Sequence, residues 1–229
     1  MPHVLDNAGW HALTGRHAHL AEVAGRARRY PVQVSPFCAI DEPTDEAWAD
    51  LARLAGPRRV VVLFRGDAPD PPAGWTLLDR GRGHQMVVDH LTDVTPVPLR
   101  PLGVDDVPGM LALIELTRPG PFGPRTIELG GYVGVFDDDR LVAMTGQRLQ
   151  PDGHTEISAV CTHPDARGRG LAAALTHHVA SGIRARGEQA FLHVAETNVG
   201  ARRVYERLGF TTRRMIDFVA ARTPDEPIG

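Results

Sequence analysis

The stretch 160-VCTHPDARGRGLAAALTHHV-179 joins a strand to a helix through a turn of alternating arginine and glycine. Val160-Cys161-Thr162 closes an apolar, β-like run. From about Gly170 to Arg186, Leu171, Leu175, Val179 and Ile183 recur every four residues, the stripe of a helix packed on a core. Between them stands Arg167-Gly168-Arg169-Gly170. The first turn of a helix has unpaired N–H groups and a partial positive charge. Glycines there let a ligand approach the backbone. Such a junction can cradle a pyrophosphate without a lysine. The competing reading is a strand-to-helix turn whose arginines are merely solvated.

No lysine is available in any case. All 25 basic residues are arginine. This removes Schiff-base, P-loop-lysine and lysine-base mechanisms. With 28 acidic residues the formal charge is −3, which does not point to nucleic acid or an anionic membrane as partner. The 229 residues are enough for one large or two small domains with a proper core. Cys38 and Cys161 make no disulfide framework and fit a reducing compartment. The start, MPHVLDNAGWHALTG, has no basic flank and no apolar run. No signal peptide or membrane span is therefore expected, and a cytoplasmic protein is.

Along the chain, the first part reads as helix, strand, helix, strand. One helix is expected over about 10–29, weakened by Gly15 and Gly25. A second starts at Thr44-Asp45-Glu46, and 60-VVVLF-64 reads as a buried strand. WTLLD and QMVVD read as two strands separated by 81-GRG-83. The proline-rich 93-DVTPVPLRP-101 marks a boundary near residue 95. This divides the chain into an N-terminal α/β domain, 1–95, and a second domain, 96–229. The second part runs strand, helix from Asp105-Asp106, the loop 118-RPGPFGPRT-126, a hairpin about 137-DDDR-140, and strand 155–162. Then come the helix above, strand 189–195, a helix over 199–208 and a strand to Ala221. The tail TPDEPIG is expected to fray. GWTLLDRGRGHQMVV and GFTTRRMIDFVAA faintly echo each other, as a degenerate duplication or by chance.

The run V-C-T-H-P-D-A-R-G-R-G-L-A resembles motif A of the GNAT superfamily of acyl-CoA-dependent N-acyltransferases. The pattern of Arg or Gln, two residues, Gly, one residue, Gly or Ala is met by Arg167, Gly170 and Ala172. Likewise 198-NVGARRVYERLGF-210 resembles motif B, through Asn198, Ala201, Tyr205 and Gly209-Phe210. The resemblance covers about residues 97–221 and is nearest to the FR47-like subgroup. It implies an α/β (α+β) fold, a mixed sheet flanked by helices, with the additional N-terminal domain as a degenerate GNAT-like half. It further implies acetyl-CoA as cosubstrate. Val160, Cys161 and Thr162 would face the pantetheine arm as a neighbouring strand would. Gly168, Arg169, Gly170, Leu171, Ala172 and Ala173 would hold the pyrophosphate, with Arg167 beside them. Asn198 and Ala201 would wall the far side.

By the same resemblance Tyr205 matches the tyrosine that protonates the departing thiolate; alone, it reads as a core tyrosine. Glu156 matches a strand glutamate used as base, and His193, titrating near neutrality, is the reserve. Their bland readings are a solvated strand residue and a hydrogen-bonded core histidine. Glu128 and Tyr132 are expected to shape the acceptor pocket. The expected reaction is acetyl transfer to a primary amine of a small molecule or peptide, by direct attack on the thioester. A homodimer is left open. Metal is not expected, for His177-His178 are adjacent on a helix and face apart. The rivals are a non-catalytic acyl-CoA-binding regulatory module and a dinucleotide oxidoreductase, although the third glycine of G-x-G-x-x-G is missing.

Overall fold

A computed structural model describes residues 3–225; the last four residues of the tail expected to fray lie outside them. The described chain forms one sheet of eleven strands. These are β1 (Glu22–Ala24), β2 (Ala27–Arg29), β3 (Phe37–Ile40), β4 (Val60–Arg65), β5 (Thr76–Val87), β6 (Arg100–Pro101), β7 (Val133–Asp137), β8 (Arg140–Gln147), β9 (His154–Thr162), β10 (Gln189–Ala195) and β11 (Thr211–Arg222). Their order across the sheet is β1-β2-β3-β4-β11-β5-β10-β9-β8-β7-β6. Only β3/β4 and β9/β10 are parallel neighbours.

Each parallel pair is joined by a helix, as a parallel connection requires. α2 (Asp45–Ala55) follows β3, and α4 (Leu171–Ala185) follows β9. Thr44 caps α2 by accepting from Ala47 N–H, with Asp45 and Glu46 in its first turn. α2 and α4 cover one face of the sheet, together with α5 (Val199–Arg207). α4 buries Leu171, Leu175, Val179 and Ile183 against Ile157, Leu192 and Val194. α2 buries Trp48, Leu51 and Ala55 against Leu63, Val219 and Ala221. The other face carries α1 (Ala8–Thr14) over Phe37, Phe64 and Phe191, and α3 (Val107–Thr117) over Met144 and Cys161.

The two halves exchange strands at the centre. β5 and β11 are each 12 residues long and pair antiparallel end to end, Thr76 with Arg222 and Val87 with Thr211. β5 also pairs with β10, and β11 with β4. The sheet is thus pseudo-symmetric about this pair. The two segments that echo each other in sequence are these two strands. The stretch around residue 95 lies between β5 and β6 without regular structure, yet the sheet runs unbroken past it.

Two expectations are corrected. The helix over 10–29 is three elements: α1, a single helical turn Ala18–Leu20, and the β1/β2 hairpin. Gly15 ends α1, and the chain turns at Gly25, where Asp50 Oδ2 accepts from Arg26 N–H at 2.6 Å. The pair WTLLD and QMVVD is one strand, not two. The glycine at its middle marks a close approach rather than a turn: a Cβ on Gly83 would stand 2.8 Å from Val194 O and 2.9 Å from the Phe218 ring.

Candidate active site

β9 and β10 run side by side from His154/Gln189 to Ile157/Leu192 and then part. On its other edge β9 carries a bulge against β8: Met144 pairs with Cys161, but Gly146 pairs with Ser158. Ala159 and Val160 therefore have no paired residue on either neighbouring strand. Ala159 adopts φ +53°, an uncommon value for a residue with a side chain. Thr145 Oγ1 donates to Ser158 O at 3.0 Å beside it. The bulge bends β9 away from β10.

A cleft of about 1140 Å³ opens at this fork. One wall is Val160, Cys161 and Thr162; another is Asn198, Ala201 and Val204 from α5 and its cap. Asn198 caps α5 by accepting from Ala201 N–H at 3.1 Å. The floor is Arg167, Gly168 and Gly170 to Ala173. Gly168 and Gly170 hold φ of +80° and +74°, and a Cβ at either would meet nothing within 4 Å. The N–H groups from Gly168 to Ala173 find no acceptor among the described residues; Ala174 N is the first to bond, to Gly170 O. Thr162 Oγ1 is also buried without a partner. Six open amides at a helix start, with space over the glycines, suit a pyrophosphate. The residues present therefore fit acetyl-CoA. The arginine that departs from this pattern is Arg169. Its side chain pairs with Asp137, at 2.6 and 3.0 Å, and is not part of the cleft lining.

Tyr205 lies on α5 among Met86, Val194 and Leu208, its ring edge-on to Phe210. The cleft wall is formed by its neighbours Ala201, Val204 and Leu208. Burial raises its phenol well above the ordinary value, so the hydroxyl keeps its proton. Cys161 is buried, which pushes its thiol up to about 11 and leaves it a poor nucleophile.

Glu156 and His193 do not reach the cleft. Glu156 is fully buried and is held by Arg148, whose Nη2 and Nε donate to its two oxygens at 2.5 and 2.9 Å. Burial alone would raise its carboxyl; the Arg148 guanidinium and the His193 ring outweigh that and hold it down, to about 2. His193 Nδ1 lies 2.6 Å from Glu156 Oε1, and the Phe64 ring stands edge-on to the imidazole at 4.1 Å. Burial depresses the His193 pKa despite that carboxylate. A carboxylate this acidic, sealed under Phe37 and Phe64, is ill-suited to take a proton from an amine. Glu128 is engaged by Arg125 at 2.6 and 2.8 Å and is not part of the cleft lining. Tyr132 is buried under Phe122 and over Gly146. Neither opens into the cleft.

Residues 132–219 match the family model described as FR47-like protein. A solved structure of a GNAT-family protein from Novosphingobium aromaticivorans is 37% identical, covers 96% of this chain and 98% of its own, and superimposes with a TM-score of 0.88. The chain belongs to the GNAT family of acetyltransferases. Curated relatives match part of this GNAT chain. The mycothiol acetyltransferase of Saccharopolyspora erythraea is 35% identical over 82 residues, 35% of this chain and 27% of its own length. That of Thermobispora bispora is 46% identical over 92 residues, 39% of this chain and 31% of its own. The matched stretch thus spans under a third of these relatives.

Two further arginines line the cleft of this GNAT domain: Arg118, which opens the 118–126 loop, and Arg207, which sequence reasoning missed. Neither they nor Arg167 pair with a carboxylate among the described residues. Arg118 caps α3 at φ +47°, where glycine is the usual residue. Among the described residues there is no group of three or more His, Cys, Asp or Glu placed to hold a metal, and no helix long and apolar enough to cross a membrane.

Proposed function

We propose that the protein transfers an acetyl group from acetyl-CoA to a primary amine of a small-molecule or peptide acceptor, by direct attack on the thioester. The observation that carries this is the row of open amides from Gly168 to Ala173 at the mouth of a fork between parallel strands. Arg167 and Arg207 add positive charge to the same cleft. Acetyl-CoA brings its own activated thioester, so no covalent enzyme intermediate is needed. Val160 to Thr162 hydrogen-bond the pantetheine arm as a strand neighbour would. The bulged backbone at Ala159–Val160 lies where the strands part and can polarise the thioester carbonyl. Tyr205, its proton retained, serves as acid toward the leaving thiolate. The amine loses its proton to solvent, because Glu156 and His193 are both engaged in the core.

In this proposal residues 1–95 are a degenerate GNAT-like half. Its supports are the matching β3-α2-β4 and β9-α4-β10 crossovers and the end-to-end pairing of β5 with β11. Its phosphate turn is gone: Asp41, Glu42, Asp45 and Glu46 crowd the start of α2, which repels an anion. One CoA site per chain follows. Both cysteines are free and buried, which accords with a cytoplasmic setting.

The engagement of Glu156 and His193 in the core favours one second reading, a binding module without turnover. Release of free CoA thiol from acetyl-CoA, followed with a panel of primary amines, decides between them. Tight CoA binding without release for any amine would leave the module. Two CoA molecules bound per chain would remove the single-site assignment.

A further inference from the structure

The side chains of Glu156 and His193 belong to a longer ladder. Arg213 on β11 donates from Nε to Gln85 Oε1 on β5 at 2.6 Å. Gln85 Nε2 lies 3.0 Å from His193 Nε2 on β10. His193 Nδ1 meets Glu156 Oε1 on β9, and Glu156 takes Arg148, the residue after β8. Five neighbouring strands are thus linked in the order β11-β5-β10-β9-β8. The first half roofs the ladder. Leu5 O accepts from Gln85 Nε2 at 2.8 Å, Asp6 accepts from Arg213, and the Phe37 ring lies under the Arg148 guanidinium.

The hydrogen positions in this ladder follow from its ends. Arginine only donates, so Gln85 Oε1 must face Arg213. A backbone carbonyl only accepts, so Gln85 Nε2 must face Leu5 and, with its second hydrogen, His193 Nε2. Glu156 is an ionised acceptor, so His193 Nδ1 carries the proton. His193 is held as one neutral tautomer, with one nitrogen donating and the other accepting. Neither nitrogen is free for chemistry.

The bridge from His193 to Glu156 sits at the fork. The last parallel pair is Ile157/Leu192, and the strands part at the next residues, Ser158 and His193. We propose that His193 and Glu156 are positioning residues that clamp β9 to β10 at the base of the fork, so setting the width of the cleft and the backbone at Ala159–Val160. Neither acts as base. This rests on the assignment of the fork to acetyl-CoA, but its first consequence is readable without that ligand.

The test compares His193→Ala, His193→Asn and Gln85→Met in the full chain. Asparagine can present an N–H where the ring presents Nδ1–H, and it does not titrate. Gln85→Met breaks the ladder one strand away from the fork. In the free protein, amide hydrogen exchange at 158–160 is expected to quicken in His193→Ala and Gln85→Met and to recover in His193→Asn. With acetyl-CoA and an active amine, KM for acetyl-CoA is expected to rise about tenfold in His193→Ala, with smaller change in kcat, and to recover in His193→Asn. The acid limb of the pH profile should stay in place in all three. The proposal is overturned if His193→Asn loses kcat about a hundredfold along with that limb, the mark of a base. It is equally overturned if the variants lower only the melting temperature, leaving exchange at the fork and KM as in the parent. If the parent chain does not bind CoA by calorimetry while exchange follows the ladder, the assignment of the cleft fails and the clamp stands.

Discussion

Tyr205 illustrates how little one atom adds to packing and how much it can add to chemistry. Its ring belongs to the core beside Phe210 and Leu208. Tyr205→Phe keeps that packing and removes only the hydroxyl. Stability should hold within about 0.5 kcal/mol, while kcat falls about a hundredfold and KM for acetyl-CoA stays put. Steady-state kinetics beside a thermal melt read both quantities; a variant with unchanged kcat would remove the acid role. A second residue-scale effect lies far from the cleft. His17 is buried with Nδ1 2.8 Å from Tyr30 Oη, and burial lowers its pKa to about 4. Between about pH 6.5 and 4 the unfolded chain holds a proton at His17 that the folded chain does not. Stability therefore falls as pH drops through that window, by about 3 kcal/mol in total, and falls no further on this account below it. Melting temperatures measured from pH 7 to 4.5 should decline more steeply in the parent than in His17→Gln.

At the scale of elements, the strand–loop–helix at 160–185 was legible because its parts are local. Helix spacing, glycine and cap all lie within one stretch of chain, and so do Asn198 and α5. The burial and pairing of Glu156 and His193 were not legible. Their partners Arg148, Gln85 and Phe64 come from other strands, and burial is set only when the first half roofs the sheet. The single strand β5 was misread for the same reason. Gly81 and Gly83 look like a turn until Phe218 and Val194 are seen against them. The phosphate turn can be tested as an element. Gly170 caps α4 at φ +74°, beside open amides and open space. Gly170→Val puts a β-branched side chain into that space and forces a left-handed backbone, which costs roughly 1–2 kcal/mol. Affinity for CoA, measured by calorimetry, should fall at least about tenfold. The fold itself should survive, since a Cβ there meets no protein atom within 4 Å. Unaltered affinity would mean the phosphates lie elsewhere.

For the whole molecule, the central question is whether the proline-rich stretch near residue 95 separates two folding units. The sheet argues that it does not. β5 belongs to the first half by sequence but lies between β10 and β11 of the second. β11 in turn lies between β5 and β4. Cutting the backbone between residues 95 and 96 leaves every strand pair intact, because the linker contributes no strand. Removing 1–95 outright strips β10 and β11 of a neighbour along 5 and 11 paired positions, and exposes Phe191, Ile216 and Phe218. Unpaired central strands with bare aromatic faces associate with whatever edge they meet. The fragment 96–229 made alone is therefore expected to aggregate or to lack a cooperative melt. The same fragment made together with 1–95 as a separate chain should assemble into a soluble one-to-one complex that binds CoA. Size-exclusion chromatography and calorimetry on the co-expressed pair decide it. A well-folded, CoA-binding 96–229 monomer would show that the exchanged strands are dispensable, and that the two halves fold as the linker alone suggests.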